Sequence, residues 1–292
     1  MMTTREVAAY LRIKERKVYD LVKARRIPST RVTGKWLFPK RLIDAWIAEN
    51  AGGTPAAAHR AQAPPVIAGS HDPLLEWALA ESGCGLAMLP GGSLDGLRRF
   101  AAGEVAVCGL HLFDAGSGEY NLATVREALS GLDVVVITWA WREQGLVVAP
   151  SNPLGLKSVR DLGAKRARVV QRQDEAGSQL LFLHLLGEAG LRTSELETLP
   201  EPARSETEIG LAVLEGKADA GLAVAAAARR LKLDFVPLHR ERYDLAMRRR
   251  DYFEPPLQRL LTFTRSSAFA DHARELGGYD CSRLGHVVYN GP

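Results

Sequence analysis

The sequence predicts an α/β protein made of a small basic N-terminal unit and a larger body. The first fifty residues hold twelve Lys and Arg against five Asp and Glu, whereas the rest of the chain holds twenty-six against twenty-nine. Residues 51–64 are rich in Ala, Gly and Pro and lack apolar periodicity, which is typical of a tether. Beyond them, short apolar runs alternate with segments of helical spacing, which indicates largely parallel sheets.

Length and composition narrow the class of protein. A chain of 292 residues predicts two or three compact units. No apolar run reaches the ~18 residues of a membrane span, and the polar N-terminus is unlike a secretion signal, so we expect a cytoplasmic protein. Cys84, Cys108 and Cys281 are widely spaced and the seven His residues do not cluster, so we expect no disulfide framework, metal site or cofactor. Because the common catalytic motifs are missing, we predict that the protein is not an enzyme.

The basic unit begins with two short amphipathic helices. The hydroxyl of Thr3 or Thr4 can cap the first helix, and a second stretch runs from about Lys14 to Ala24 with Val18, Leu21 and Val22 facing inward. Two helices joined by a tight connection form a helix-turn-helix, whose second helix enters the major groove of DNA. The residues of this helix that we predict to contact DNA are Lys14, Arg16, Lys17 and Tyr19.

The next segment predicts a β-hairpin and a closing helix. Alternation on both sides of Thr33-Gly34 forms the hairpin, a wing that carries Arg31 and Lys35 toward phosphates, and Arg41–Glu49 closes the small core. Residues 2–49 resemble the excisionase-type winged helix-turn-helix domain, which is related to the DNA-reading head of MerR regulators. The stretches that carry the resemblance are TTREVAAYLRI, KVYDLVKARRIP and GKWLFPKRLIDAWI. Such a domain usually reads paired half-sites of double-stranded DNA, so we expect a homodimer or a higher even oligomer.

In the body, two strand–turn–helix junctions each offer a small hydroxyl. Ser70 lies between an apolar strand and a helix with Pro73 near its start, and Ser93 follows Gly91-Gly92 in the same way. A hydroxyl beside the free N–H groups of a helix N-terminus can bind an anion. The same pattern also fits simple capping by Ser70 or Asp72 at the first junction and any tight turn at the second, so both interpretations stay open.

A third junction adds a guanidinium. The predicted strand Ala167–Val170 leads to Arg172 and a polar loop, and Gly177-Ser178 begins a long helix. A guanidinium beside a helix N-terminus offers a fixed charge and several donors to one tetrahedral anion, although an ion pair of Arg172 with Asp174 or Glu175 is equally open. Because such junctions lie at the carboxyl ends of the strands in open α/β sheets, they can converge on one crevice.

The body resembles a type II periplasmic-binding-protein fold used without export. It is similar to the solute-binding-like domain found beside helix-turn-helix heads and in some proteins of molybdenum cofactor synthesis. The stretches that carry this resemblance are QRQDEAGSQLLF, EGKADAGLAVAAAA and LDFVPLHRERYDLA. The resemblance implies two lobes that close on a ligand. The chain is then expected to cross between lobes near Arg142–Leu146 and to return near Val236–His239, with the C-terminal stretch completing the first lobe.

A second likeness, to the tungstate-binding proteins of bacterial uptake systems, concerns the ligand. Those proteins use a hydroxyl-rich loop before an Asp and a Leu-Leu helix, similar to residues 70–75 here, and an Arg-rich loop ending in Ser-Gly-Thr, similar to residues 172–178. This chain departs from the pattern at Ala176, Ser178 and His71, and the bulk and charge of His71 can alter which anion fits. The likeness implies molybdate or tungstate as the effector. The residues predicted to bind it are Ser70, His71, Ser93, His111, Arg172, Ser178 and Tyr243.

These patterns together predict a ligand-responsive transcription regulator, with a DNA-binding domain at residues 1–50, a linker at 51–64 and a sensing domain at 65–292. The fold class is α/β, an N-terminal winged helix-turn-helix plus a two-lobed type II periplasmic-binding-protein-like domain. Two alternatives remain. An organic effector, such as a pterin-type molybdenum cofactor species, calls for an aromatic-lined cleft, for which Trp139 and Trp141 are candidates. An excisionase-type DNA-architectural protein binds DNA without any small ligand.

Overall fold

The chain divides into two compact units, residues 1–62 and 63–292, which are called the head and the body below. The computed structural model describes residues 1–24, 26–32, 34–50 and 63–291. Positions 51–62 of the predicted linker at residues 51–64 therefore lie outside the described residues. No helix within the described ranges is long and apolar enough to cross a membrane.

The head is a winged helix-turn-helix. Its elements in chain order are β1 (Met2–Thr3), α1 (Thr4–Tyr10), α2 (Glu15–Lys23), β2 (Thr30–Val32), β3 (Lys35–Phe38) and α3 (Lys40–Asn50). Thr3 caps α1, since its hydroxyl accepts from the N–H of Glu6 while the Glu6 carboxylate accepts from the N–H of Thr3, a reciprocal capping box. The predicted helices and hairpin strands are confirmed, and β1 is an unpredicted third strand paired with β3.

The body alternates strands and helices. Its first part contains β4 (Val66–Gly69), α4 (Pro73–Glu81), β5 (Ala87–Pro90), α5 (Ser93–Ala102), β6 (Val107–Leu110), β7 (Phe113–Asp114), β8 (Glu119–Tyr120), α6 (Leu122–Ala128) and β9 (Val134–Val148). The next part contains α7 (Arg160–Ala164), β10 (Arg168–Val170), α8 (Gly177–Glu188), a 3-10 turn (Thr193–Glu195), β11 (Glu197–Thr198), α9 (Glu206–Leu214), β12 (Ala220–Val224) and α10 (Ala225–Arg230). The last part contains β13 (Asp234–Arg248), α11 (Arg249–Tyr252), α12 (Pro255–Phe263), α13 (Ser267–Leu276), β14 (Tyr279–Asp280) and β15 (Val287–Asn290).

Two long antiparallel strands, β9 and β13, join the two lobes of the body. They pair with each other along their length. At one end β13 pairs with β6, which leads to β4 and β5 in the first lobe, and at the other end β9 pairs with β12, which leads to β10 and β11 in the second lobe. Strand β15 returns to the first-lobe end of β9. This is the predicted two-lobed type II periplasmic-binding-protein-like fold.

The strand prediction is wrong in one respect. The apolar runs Asp133–Thr138, Gly145–Ala149 and Asp234–Pro237 each predict a separate short strand. The structure instead joins the first two in the single strand β9, and β13 runs eleven residues past Pro237. The polar residues that suggest a break are buried: Arg142 and Gln144 both bond to Glu241 on β13. Because Arg142 and Gln144 find a partner across the strand pair, the strands continue through both expected lobe crossings.

Candidate ligand-binding site

The ends of three first-lobe strands bring two serines and a histidine together. Ser70 follows β4, Ser93 begins α5, and His111 follows β6. The Oγ atoms of Ser70 and Ser93 lie 2.8 Å apart, and the backbone N–H of His111 donates to Ser93 Oγ at 3.2 Å. All three side chains are buried. The two hydroxyl junctions therefore converge, as the topology of an open α/β sheet requires.

The Ser70 hydroxyl is available to Ser93 because a different residue caps the helix. The Oδ1 atom of Asp72 accepts from the N–H of Leu75 at 2.7 Å and so caps α4. The turn also depends on Gly69, whose φ is +112° and where a Cβ would lie 2.2 Å from the carbonyl oxygen of Gly109. A glycine at the end of β4 thus permits the close approach of β4 to β6 immediately before Ser70.

The third junction brings the second lobe to the same place. Helix α8 begins at Gly177, where a Cβ would lie 2.8 Å from the carbonyl oxygen and 3.0 Å from the Nε2 atom of His111. A Cβ on Gly92 would lie 3.0 Å from the carbonyl oxygen of Glu175. Ser178 is buried in the first turn of α8. The N-termini of α5 and α8, whose first N–H groups have no partner within their own helices, therefore meet across the cleft.

Arg172 is a buried cation for which the described residues provide no counterion contact. Its side chain is 8% exposed, and its Nε and Nη1 atoms are buried without a hydrogen bond to any described residue. Its backbone N–H donates to Oε1 of Gln179 at 3.0 Å, which ties it to the first turn of α8. Burial lowers the pKa of the Arg172 guanidinium, although Glu206 and Glu208 act in the opposite direction, and an arginine stays charged in either case. Buried donors without acceptors destabilise a fold, so this side chain is suited to an anion.

The two lobes touch at the rim of the cleft. Two guanidinium nitrogens of Arg98 on α5 donate to the two carboxylate oxygens of Glu175 in the second lobe, at 2.8 and 3.0 Å, and the Gln173 amide donates to the carbonyl oxygen of Gly91 at 3.2 Å. Since Arg98 holds the Glu175 carboxylate, the pair between Arg172 and Glu175 that the sequence leaves open does not form. The lobes are closed in this structure.

A buried ion network lies behind the cleft. Arg142 on β9 donates to Oδ2 of Asp72 at 2.9 Å and to Oε1 of Glu241 on β13, and Oε2 of Glu241 lies 2.7 Å from Nδ1 of His111. Burial opposes the charge of Glu241, but Arg142 and His111 outweigh it and lower its pKa from 4.5 to about 2. Glu241 is therefore ionised, and the His111 Nδ1–H is the donor of their hydrogen bond.

Sequence reasoning missed the network residues Asp72, Arg142 and Glu241 as part of the site. Two more groups converge on Asp72: the indole N–H of Trp139 at 3.0 Å and the hydroxyl of Tyr279 at 2.7 Å. A signal was present, because charged residues interrupt the apolar runs of β9 and β13, and charges inside a core are retained when they pair. Only the strand register shows which of them pair.

Two further residues predicted to bind the ligand, His71 and Tyr243, make their contacts with other groups. The Nε2 atom of His71 lies 3.1 Å from the carboxylate of Glu76, which is an exposed residue on α4. Tyr243 is fully buried, where its hydroxyl donates to the carbonyl oxygen of Ser70 and its ring lies 4.4 Å from the Arg142 guanidinium. Tyr243 therefore contacts the serine cluster through the backbone of Ser70. A direct contact of His71 or Tyr243 with the ligand stays a prediction.

The two tryptophans considered for an aromatic cleft already have partners. Trp139 is buried in the core of the first lobe, and Trp141 packs edge-on against Tyr120 with the guanidinium of Arg240 5.1 Å from its ring centroid. Neither ring therefore provides an argument for an organic ligand. Among the residues that the structure describes, no group of three or more His, Cys, Asp or Glu is placed to hold a metal ion.

The predicted DNA contacts share exposed surfaces of the head. Lys14, Arg16, Lys17 and Tyr19 are all exposed, whereas Val18 and Val22 of α2 are buried. On the wing, Arg31 and Lys35 are exposed at the facing ends of β2 and β3. Arg31 is held partly by Trp36, whose ring centroid lies 5.6 Å from the guanidinium. The surface of α2 is therefore basic opposite its apolar core face.

Comparison with protein families finds two matches that divide the chain as the structure does. A model described as a PBP superfamily domain matches residues 76–265. A model described as a helix-turn-helix domain matches residues 1–51. The first match covers more than half of the chain.

Individual relatives and one solved structure match different shares of the chain. The uncharacterized protein YvgK of Bacillus subtilis (strain 168) is 27% identical over 303 aligned positions, which cover 98% of this chain and 97% of that protein. An uncharacterized protein in the ferredoxin 2Fe-2S gene 5' region of Clostridium pasteurianum is 32% identical over 85 residues, or 29% of this chain and 75% of that protein. The OxyR C206 mutant of Corynebacterium glutamicum superposes with a TM-score of 0.51 at 14% identity and covers 94% of this chain and 89% of its own. That likeness concerns the fold alone.

Proposed function

This chain belongs to the PBP superfamily, and from that premise we propose that it is a transcription regulator whose body senses a tetrahedral oxyanion, molybdate or tungstate. The helix-turn-helix head binds DNA and the PBP-like body binds a small ligand, so the pair forms a ligand-sensing regulator. The observation that carries the choice of ligand is Arg172, a buried guanidinium with two nitrogens that no described residue satisfies. An anion would supply both the missing charge and the missing acceptors.

The surroundings of Arg172 support a small anion over a large one. The cleft between the closed lobes is bordered by two serine hydroxyls, Ser70 and Ser93, and by the N-termini of α5 and α8. Helix N-termini and hydroxyls donate hydrogen bonds from several directions, which suits a tetrahedral ion better than a planar carboxylate. Gly177 packs closely against His111, since even a Cβ there would lie 2.8 Å from the His111 carbonyl oxygen, so this side of the cleft is closed.

Ligand binding and DNA binding are coupled through lobe closure in this proposal. A ligand shifts a conformational equilibrium only if it binds one state more tightly than the other. Here Arg172 and Ser178 come from the second lobe and Ser70 and Ser93 from the first, so an anion that bridges them favours the closed state. We expect the regulator to act as a homodimer or higher even oligomer on paired half-sites.

The ligand proposal is tested by calorimetry of the full chain with sodium molybdate, tungstate and sulfate. We expect saturable heat at one site per chain with molybdate or tungstate, and a matching increase in the unfolding temperature because a ligand stabilises the state that binds it. Sulfate serves as the smaller tetrahedral control. The proposal fails if none of the three anions gives heat or a thermal shift.

The DNA-binding face gives a separate prediction. We expect Arg16→Ala and Lys17→Ala each to weaken binding to a random-sequence duplex roughly 3- to 10-fold at about 0.1 M salt, and to reduce the slope of log affinity against log salt by about one, since each removes one phosphate-neutralising cation. Fluorescence anisotropy over a salt series measures both quantities.

Lys157→Ala is the matched control for these head variants. Lys157 is an exposed basic residue of the body whose side chain has no hydrogen bond to a described residue. The Lys157→Ala substitution removes one positive charge, as each head substitution does. We expect its affinity for the duplex and the salt slope to stay as in the unmodified protein. An equal loss with Lys157→Ala would mean that net charge, rather than the α2 surface, governs binding.

A further inference from the structure

We infer that His111 determines the charge class of the ligand, because a fully deprotonated oxyanion is bound only with the protonated imidazolium form of this residue. The inference rests on the proposed function above and adds a specificity-determining residue to the same cleft. It predicts that anion binding is linked to one proton on one identified side chain.

His111 is held once at its ring and once at its backbone. Its Nδ1 atom lies 2.7 Å from Oε2 of Glu241, and its backbone N–H donates to Ser93 Oγ at 3.2 Å. The side chain is 2% exposed. The ring can therefore not turn to offer Nδ1 to a ligand without breaking the bond to Glu241.

The second ring nitrogen lies at the meeting point of the helix N-termini. The site of a Cβ on Gly177 would be 3.0 Å from Nε2 and 2.9 Å from Cε1 of His111. Gly177 is the first residue of α8, and Ser178 follows it. With Nδ1 committed to Glu241, Nε2 is the nitrogen that a ligand at the α8 N-terminus meets.

The proton state of His111 decides whether this nitrogen attracts or repels an anion. When the ring is neutral, Nδ1 holds the proton toward Glu241 and Nε2 carries a lone pair. A dianion such as molybdate presents only lone pairs, so the contact is repulsive. The imidazolium form instead donates from both nitrogens, to Glu241 and to the anion, and adds a positive charge beside that of Arg172.

Several charged groups surround His111. The network behind it holds the carboxylates of Asp72 and Glu241 and the guanidinium of Arg142. The amide of Gln144 links Glu241 to a third buried carboxylate, that of Glu206. Tyr243, whose ring lies 5.9 Å from the imidazole, keeps its proton because burial raises its pKa well above the usual value.

Arg172 contributes a fixed positive charge to the same cleft. A further charged group is Glu175, whose carbonyl oxygen borders Gly92. Its carboxylate is held by Arg98 at the rim through two hydrogen bonds, and that pairing lowers its pKa. Glu175 therefore stays ionised and paired with Arg98 over the range in which a histidine changes charge.

The sign of the pH dependence follows from linkage. The liganded protein holds a proton on His111, so affinity is full where unliganded His111 is already protonated. As pH rises into the range where unliganded His111 is neutral, affinity for molybdate falls by up to tenfold per pH unit. Binding in that range takes up close to one proton.

The test is titration calorimetry of the full chain with molybdate from about pH 6 to about pH 9, a range that spans the charge change of histidine, in two buffers of different ionisation heat. We expect a falling affinity and a buffer-dependent heat that corresponds to uptake approaching one proton. This measurement needs no variant, so it stands even if substitutions at a buried position impair folding. A flat affinity with no proton uptake in the unmodified protein would overturn the inference while leaving the oxyanion proposal intact.

Two variants assign the proton to its residue. His111→Gln places an uncharged amide N–H near the position of Nε2, so we expect weaker binding at low pH and no pH dependence. His272→Gln changes a histidine of α13 that lies beside Glu275 and should retain the slope of the unmodified protein. A slope that persists in His111→Gln, or that disappears in His272→Gln, contradicts the assignment. No heat with molybdate, tungstate or sulfate at any pH overturns the proposed function and the inference with it.

Discussion

Arg172→Ala is expected to weaken molybdate binding by a factor of about 30 to 1,000, the range for removal of one partner from a buried charge-assisted contact. The substitution removes the buried guanidinium nitrogens that have no acceptor among the described residues. The hydroxyls and helix N-termini remain, so residual binding is expected rather than none. Calorimetry with molybdate measures the change directly.

In the absence of ligand, a substitution of Arg172 should affect the stability of the protein differently from the way it affects ligand binding. An unpaired buried charge destabilises a fold, so replacing it with an apolar side chain of similar length removes that penalty. We expect Arg172→Met to leave the unliganded protein as stable as before or more stable by about 1 kcal/mol, while its thermal shift at a given molybdate concentration becomes smaller because the anion binds more weakly. Urea unfolding with and without the anion separates the two effects.

Arg168→Ala is the matched control for Arg172. Arg168 begins the same strand, β10, but it is half-exposed and pairs with Asp219. Loss of an exposed pair changes stability little, and we expect molybdate affinity to be unchanged. If Arg172→Ala binds molybdate as tightly as Arg168→Ala does, the anion does not contact Arg172 and the proposed site is misplaced.

Asp72→Ala is expected to lower the free energy of unfolding of the body by about 3–5 kcal/mol, the range for removing one partner of a buried ion pair. Asp72 accepts hydrogen bonds from Arg142, Trp139 and Tyr279 and caps α4. Its removal leaves Arg142 with Glu241 as its remaining carboxylate partner, and loss of the helix cap adds about 1 kcal/mol on its own. Equilibrium urea unfolding of the full chain, followed by tryptophan fluorescence, measures this loss.

The control for Asp72 is another acidic residue of the same helix. Glu76 is exposed and pairs with His71, so Glu76→Ala should change the free energy of unfolding by no more than about 0.5 kcal/mol. Asp72→Asn keeps the capping oxygen but loses the charge, and we expect an intermediate loss. Equal stability of Asp72→Ala and Glu76→Ala would show that the network contributes no net stability.

Much of the fold could be predicted from local patterns. The capping box of Thr3 and Glu6 and the start of α8 at Gly177 depend on neighbours three or four positions apart, which the sequence displays directly. The full length of strands β9 and β13 could not be predicted because a polar stretch such as residues 142–144 normally marks a loop. Burial of Arg142 beside Glu241 reverses that rule, and the pairing depends on strand register.

Part of the candidate site could likewise be predicted from the sequence, and part could not. Ser70, Ser93, Arg172 and Ser178 can be found from the sequence because each stands at a strand–turn–helix junction. Their convergence also follows from the topology of an α/β sheet. The anchoring of His111 by Glu241 could not be predicted, since the two residues are 130 positions apart and the sequence contains no pattern that joins them.

The sequence by itself determined a basic head, an α/β body and three junctions able to bind an anion. Only the tertiary structure decided which charges are paired. Arg98, which is 77 positions away in the sequence, binds the carboxylate of Glu175. Arg172 is left buried without that carboxylate as a partner. The physical reason is the separation along the chain over which each interaction acts. Helix caps and amphipathic periods arise between neighbours in the chain, whereas the partner of a buried charge is set by chain-distant packing and by the cost of leaving that charge unpaired.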